Sequence, residues 1–111
     1  MHELSLCGSI EAVVRKHAGQ RPVDTIYLRV GQLRQVVPDT LVHCWALVTA
    51  ETALDGSLLE IESVPARVRC RSCEAEGLMG AVANFACAAC GSVTVQVLAG
   101  EEFLITAMDV R

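Results

Sequence analysis

The sequence predicts an α+β fold: a small β-sheet with two helices, interrupted by a cysteine-rich insert. Three observations predict it. Apolar residues recur at helical spacing in two segments, they alternate in four others, and the stretch from Cys70 to Cys90 follows neither period. Leu6, Ile10, Val13, Val14 and His17 fall at helical spacing and Gly19 is a stop signal, so Glu3 to about Ala18 reads as a helix. Val23 to Val30 alternates, with Ile26, Leu28 and Val30 on one face and Thr25, Tyr27 and Arg29 on the other. This is the pattern of a half-buried strand, which Gly31 ends. Pro38-Asp39-Thr40 opens a second helix with proline in its first turn, and Leu41, Val42, Trp45 and Val48 form an apolar stripe up to about Ala53. Asp55-Gly56 is a turn signal. Leu58 to Val64 alternates again, with Leu59 and Ile61 opposed to Glu60 and Glu62, and Pro65 breaks the run. Val93, Val95 and Val97 resume the alternation, Ala99 to Glu102 is a turn, and Phe103, Ile105 and Ala107 give a final strand.

Composition narrows the class of protein. With 111 residues, 52% of them apolar, the chain can bury one ordinary core, or a small core with a stapled appendage. A disordered chain would carry less apolar surface and more charge than the 20% seen here. The net charge is −4 and Lys16 is the only lysine, which argues against a nucleic-acid binder. Arg67, Arg69 and Arg71 make one small basic cluster, read as a solvated or partner-facing edge. No stretch approaches the ~18 apolar residues of a membrane span. The amino terminus has no basic n-region, and Glu11 and Arg15 interrupt its apolar run, so it does not read as a signal peptide. The expected compartment is the cytoplasm, where thiols stay reduced. Six cysteines in that setting point to metal or redox chemistry.

Four of those cysteines have metal-ligand spacing. Cys70-Arg71-Ser72-Cys73 is followed, after thirteen residues, by Cys87-Ala88-Ala89-Cys90-Gly91. Each CxxC places two sulfurs on one tight turn, where both reach a single metal at ~2.3 Å. The spacer is long enough to fold back and bring the second pair round. Four thiolates then close a tetrahedral shell, the arrangement of structural zinc, although iron also suits four sulfurs. A thioredoxin-like redox pair would account for only one CxxC. A closed shell has no position for a substrate water, so the metal is structural, and it supplies much of the folding free energy of a segment with so little core. Gly91 suits the residue after a knuckle, which often needs positive φ. Cys7 and Cys44 stand alone on helices and read as small buried hydrophobes. His17 and His43 read as helix-surface or semi-buried residues.

The extreme amino terminus offers a second set of donors. The Met1 amine, the His2 amide nitrogen and His2 Nδ1 would form adjoining chelate rings with three nitrogens nearly in a plane. Such a set suits square-planar Ni(II) or Cu(II) better than tetrahedral Zn(II). A fourth donor would come from Glu3, through its backbone nitrogen or carboxylate, or from Asp39. Glu3 in a first helical turn is equally explained by the helix dipole.

Several segments together carry a resemblance. Met1-His2-Glu3-Leu4-Ser5-Leu6, Val30-Gly31-Gln32-Leu33, Val37-Pro38-Asp39-x-Leu41, Leu58-Leu59-Glu60-Ile61-Glu62 with Pro65, and the ordered knuckles ending Cys90-Gly91-Ser92 resemble the HypA/HybF-type hydrogenase nickel-insertion proteins along essentially the whole chain. The resemblance implies a nickel-binding α/β domain, placed at 1–66 and 100–111, and a zinc-ribbon domain, placed at 67–99. It implies one transient Ni(II) at His2 with its neighbouring backbone nitrogens, Glu3 assisting, and one structural Zn(II) on Cys70, Cys73, Cys87 and Cys90. It implies a HypB-like GTPase partner and delivery to the [NiFe]-hydrogenase large-subunit precursor, with urease maturation factors served by some relatives. It implies carriage of metal rather than catalysis, and no nucleophile–base pair or phosphate-cradling glycine loop is present. Monomer and homodimer are both compatible with it.

There are departures from the family pattern. His43-Cys44-Trp45-Ala46 stands where many members carry an aromatic-rich Phe-x-Phe-Glu stretch. Ala88 replaces a frequent proline, and no histidine follows His43. Two other readings compete. One is a zinc-ribbon adaptor that binds protein or nucleic acid without nickel. The other is a thiol-redox catalyst with a depressed cysteine pKa.

Overall fold

The computed structural model describes residues 2–79, 86–87 and 89–111. Among the described residues the chain is a mixed α+β protein with two α-helices, a short 3-10 turn (Gln32–Arg34) and two three-stranded sheets. It divides into two compact units, one of Met1–Arg29, Val36–Glu62 and Leu104–Arg111, the other of Val30–Gln35 and Ser63–Phe103.

Helix α1 spans Glu3–Ala18, as its spacing predicts, and ends where Gly19 turns to φ 63 and returns its N–H to the Arg15 carbonyl. Its buried face is Glu3, Cys7, Ile10, Val14 and Ala18. This differs from the stripe read in the sequence: Leu6 is half-buried, and Val13 and His17 are exposed. The face is turned because a carboxylate and a thiol belong to it, and a count of apolar residues alone misses both. Cys7 is fully buried, with its Sγ 3.8 Å from the Leu41 carbonyl on the second helix.

Strand β1 (Val23–Gly31) has buried Ile26, Leu28 and Val30, and the alternation predicted these inward positions. It is the middle of the sheet β2-β1-β6, where β2 is Leu58–Val64 and β6 is Phe103–Val110. Cross-strand side chains hold the carboxyl-terminal strand beside β1. Tyr27 donates to Asp109 Oδ2 at 2.7 Å, and Arg111 Nε donates to Asp24 Oδ1 at 2.7 Å.

Helix α2 (Pro38–Thr49) buries Leu41, Trp45 and Thr49, while Val42 is exposed. It stops about four residues short of the Ala53 boundary that the apolar pattern suggests. Short polar side chains take over the backbone bonding there. Thr49 Oγ1 donates to the Trp45 carbonyl and Thr52 Oγ1 to the Thr49 carbonyl, both at 2.7 Å. Glu51 then turns to φ 62 and its N–H donates to Asp55 Oδ2 at 3.0 Å. The Trp45 indole is 1% exposed and its Nε1–H donates to Ser57 Oγ at 2.9 Å. That hydroxyl donates in turn to the Leu54 carbonyl at 2.6 Å, so the polar tip of the buried ring is satisfied.

In the second unit β3 (Arg67–Cys70) is the central strand, flanked by β4 (Glu76–Leu78) and β5 (Val95–Ala99), both antiparallel to it. The alternation predicts Val93 in this last strand, but it lies outside it, 76% exposed. Gly31 is the last residue of β1 rather than its terminator. A Cβ built on it would lie 2.1 Å from the Gly100 backbone, and one on Gly100 would lie 2.7 Å from Ala66 Cα. Only residues without side chains allow so close an approach. Gly31 N–H donates to the Glu102 carbonyl at 2.7 Å and Leu33 N–H to the Gly100 carbonyl at 2.8 Å. Gln32 Oε1 accepts the Ala66 N–H at 2.8 Å. Among the described residues no helix is long and apolar enough to cross a membrane.

Candidate metal site

The two CxxC turns are built alike. In the first, Cys70 N–H donates to the Ala75 carbonyl at 2.8 Å and Glu74 N–H to the Cys70 carbonyl at 2.9 Å. In the second, Cys87 N–H donates to the Ser92 carbonyl at 2.7 Å and Gly91 N–H to the Cys87 carbonyl at 2.8 Å. The residue after each second cysteine is left-handed, Gly91 at φ 76 and Glu74 at φ 62. Gly91 therefore has the conformation expected of it, and the first turn bears the same geometry on a glutamate. The Ser72 and Ser92 hydroxyls tie the two turns together at 3.0 Å.

All four sulfurs converge, with every pair within 4.8 Å. Cys70 Sγ lies 3.6 Å from Cys90 Sγ, and Cys73 Sγ lies 3.7 Å from Cys87 Sγ. Four sulfurs bound at ~2.3 Å to one tetrahedral ion would lie about 3.8 Å apart. The two closest pairs match that spacing and the whole set is close to it, so the donors suit a zinc-sized, sulfur-preferring ion. The first sulfur of each turn also accepts backbone N–H groups. Ser72 and Cys73 donate to Cys70 Sγ at 3.3 and 3.5 Å, and Ala89 donates to Cys87 Sγ at 3.4 Å.

Those bonds favour thiolate. The Cys73 N–H, with Ser72 adding and burial opposing, lowers Cys70 to about 6. The Cys90 and Ala89 N–H groups likewise lower Cys87. Cys90 goes the other way: the Ser92 N–H pulls it down, but the sulfurs of Cys70 and Cys73 push it up to about 12. Cys73 is raised too: the Ala75 N–H pulls it down, but the Cys87 sulfur and burial outweigh it. Two sulfurs of the set are thus pulled toward thiolate and two are pushed toward thiol. Full ionisation at this spacing needs a cation at the centre.

The amino-terminal candidates are placed differently. Met1 lies outside the described residues. His2 is exposed and occupies the N-cap of α1, with its carbonyl accepting the Leu6 N–H at 2.9 Å. Glu3 is only 5% exposed, and its Oε2 accepts the Val37 N–H, one residue before α2, at 3.3 Å. Asp39 is exposed in the first turn of α2. Among the described residues, only the four cysteines gather as three or more ligand atoms of His, Cys, Asp or Glu, and His2, Glu3 and Asp39 do not converge in this way.

The Glu3 bond links the starts of the two helices, and it was not foreseen. Two signals were available. Glu3 extends the series Cys7, Ile10, Val14 toward the amino end of α1, and Val37 offers no side-chain cap to α2. The Glu3 carboxyl is lowered to about 2. The largest cause is the amino-terminal ammonium, and the Val37 N–H is the next. A folded-state value below the ordinary carboxyl value of 4.5 means stability that is fully present above that value and is lost as pH falls toward 2. Glu3→Gln should therefore lower the melting temperature at pH 7. Its gap from wild type should close in melts between pH 4.5 and 2. A gap that stays constant over that range would contradict the placement.

Comparison with known proteins gives concordant matches. A family model described as "Hydrogenase/urease nickel incorporation, metallochaperone, hypA" matches residues 1–110. The chain is 41% identical to a hydrogenase maturation factor HypA of Geotalea uraniireducens, with all of both chains covered. It is 36% identical to the HypA of a Nostoc species, over 100% of this chain and 96% of that one. A solution structure of the Ni metallochaperone HypA from Helicobacter pylori superposes with a TM-score of 0.67 at 20% identity, over 99% of this chain and 97% of that one. A second solution structure of a HypA protein gives 0.68 at 19% identity, over 100% and 97%. At those identities the two structures support the fold alone.

Proposed function

The chain belongs to the HypA family of hydrogenase/urease nickel-incorporation metallochaperones, and from that premise we propose that it carries Ni(II) on Met1-His2-Glu3 and delivers it to the [NiFe]-hydrogenase large-subunit precursor. The observation that carries this reading is the position of His2, exposed at the N-cap of α1. The opening amides of a helix have no carbonyl four residues back to bind. This supports a reading in which the His2 amide and its own imidazole bind one metal together. A deprotonated amide and an imidazole favour square-planar Ni(II).

The positive end of the helix dipole stabilises the anionic amide and opposes retention of a cation, a balance suited to carriage rather than storage. Glu3 acts chiefly as a positioning residue, since its carboxylate is engaged by the Val37 N–H. That bond keeps the start of α2 beside the start of α1, and Asp39 remains available there as a fourth donor. Cys70, Cys73, Cys87 and Cys90 hold one structural zinc in the ribbon of residues 67–99. When bound, that ion neutralises the four thiolates. The chain's own N–H···S bonds orient them. The protein acts in the cytoplasm as a carrier and not an enzyme, with a HypB-like GTPase as partner and urease maturation factors as further clients.

His2→Ala tests the reading. In titrations of tag-free protein, specific Ni(II) affinity should fall by about a hundredfold or more. Loss of a neighbour that merely supports a ligand already costs 10–100-fold. Zinc content and circular dichroism should match wild type. Unchanged nickel affinity would sink the assignment.

A further inference from the structure

The ribbon sheet has one face that neither metal site uses. Arg67 and Arg69 project from the same side of β3, and Arg71 follows just beyond the strand, its N–H still bonded across to the Thr94 carbonyl at 2.8 Å. Leu78 on β4 lies opposite Arg67, Gln96 on β5 lies opposite Arg69, and Leu98 is the unpaired residue of β5 at the bulge facing Arg67 and Val68. All of these side chains are exposed, Leu78 by 58% and Leu98 by 43%. The residues of the other face, Val68, Val95 and Val97, are half-buried. An open face combining an arginine row with uncovered leucines thus stands on a chain whose net charge is −4.

We propose that this face docks an extended protein segment in which acidic and apolar residues are interspersed. The charge pattern selects this occupant. Guanidinium groups pair carboxylates in a planar, two-pronged geometry. Glu74 already does so loosely, 3.4 Å from Arg69, in an exposed pair that a partner carboxylate displaces at little cost. Glu76 lies directly across from Arg69. A continuous polyphosphate would meet both glutamates as like charges and would gain nothing from Leu78 and Leu98. A segment that sets carboxylates against the arginines and apolar side chains against the leucines gains from both. The contact lies on β3, β4 and β5, so it does not depend on nickel.

The test uses the zinc-loaded full chain and an eight-residue acetylated peptide that repeats Glu-Ser-Leu-Ser, so that glutamate and leucine share one face of the extended chain, followed by amide NMR. Peptide-induced shifts should concentrate on Arg67, Arg69, Leu78 and Leu98. Affinity should fall several-fold from 50 to 500 mM salt, as for exposed charges. Replacing Arg67→Gln, Arg69→Gln and Arg71→Gln together should weaken binding roughly tenfold, with zinc content unchanged. If that variant loses zinc, the wild-type shift map and a Leu78→Ser variant decide alone. The proposal is overturned by an absence of shifts on this face at millimolar peptide, by wild-type affinity in the glutamine variant, or by an eight-nucleotide oligothymidylate that binds the face more tightly than the peptide.

Discussion

Cys70→Ser is expected to retain less than about a hundredth of the wild-type zinc affinity and to lose the ordered ribbon. Cys70 is 1% exposed and sits at the end of β3, so it is a packed residue of the sheet as well as a member of the sulfur cluster. Its sulfur accepts two backbone N–H groups, from Ser72 and Cys73. A serine hydroxyl is too weak an acid to replace a thiolate, and three sulfurs cannot close the shell. The free energy that structural zinc supplies to small metal domains is of order 10–16 kcal/mol, far more than three short strands can replace. Metal analysis should show the loss of zinc, and NMR should show collapse of dispersion for residues of β3 to β5. The helical signals of the first unit should persist. Cys44→Ser is the control, since Cys44 lies outside the sulfur cluster and zinc content should not change. Full zinc binding by Cys70→Ser would remove this site from the account.

The second large effect is predicted for Trp45→Ala, which should cost roughly 3–5 kcal/mol. That is a large part of the 5–15 kcal/mol by which domains of this kind are stable. The change removes the largest fully buried side chain and leaves Ser57 Oγ without its donor. Trp45→Phe separates the two effects. It keeps most of the volume and should cost about 1–2 kcal/mol from the missing hydrogen bond. Chemical denaturation followed by circular dichroism is the measurement, because the variants lack the only tryptophan. An alanine variant within about 1 kcal/mol of wild type would mean that α2 is not anchored through this residue.

The helices and the first sheet were legible because their signals are local. Ile26, Leu28 and Val30 alternate over consecutive residues, and each CxxC brings its own two sulfurs together. β3 and β4 were not foreseen. They are short and carry arginine, glutamate, glycine and cysteine where a strand pattern needs apolar residues. Arg67 to Arg71 showed itself as a charge cluster, and its alternation with Val68 becomes a strand only when β5 supplies a neighbour. The end of α2 was placed too late because Thr49, Thr52 and Asp55 carry no apolar signal yet decide it through hydrogen bonds. The main omission at the amino terminus was of the same kind. Glu3 finds its partner at Val37, 34 positions away, beyond the reach of any local period.

The backbone meeting of Gly31, Ala66 and Gly100 bears on folding kinetics. Each successive pair is separated by about 35 residues, and closing a loop of that length costs roughly 3 kcal/mol in chain entropy. Contacts so distant in sequence slow folding, because the cost falls before any reward is collected. A metal that joins Cys70 to Cys90 would shorten the free chain between Ala66 and Gly100 to about two fifths. The closure cost then falls by about 0.6–1 kcal/mol. Metal supply at the time of synthesis is therefore expected to speed the approach to the native form by about three- to fivefold, in addition to stabilising it.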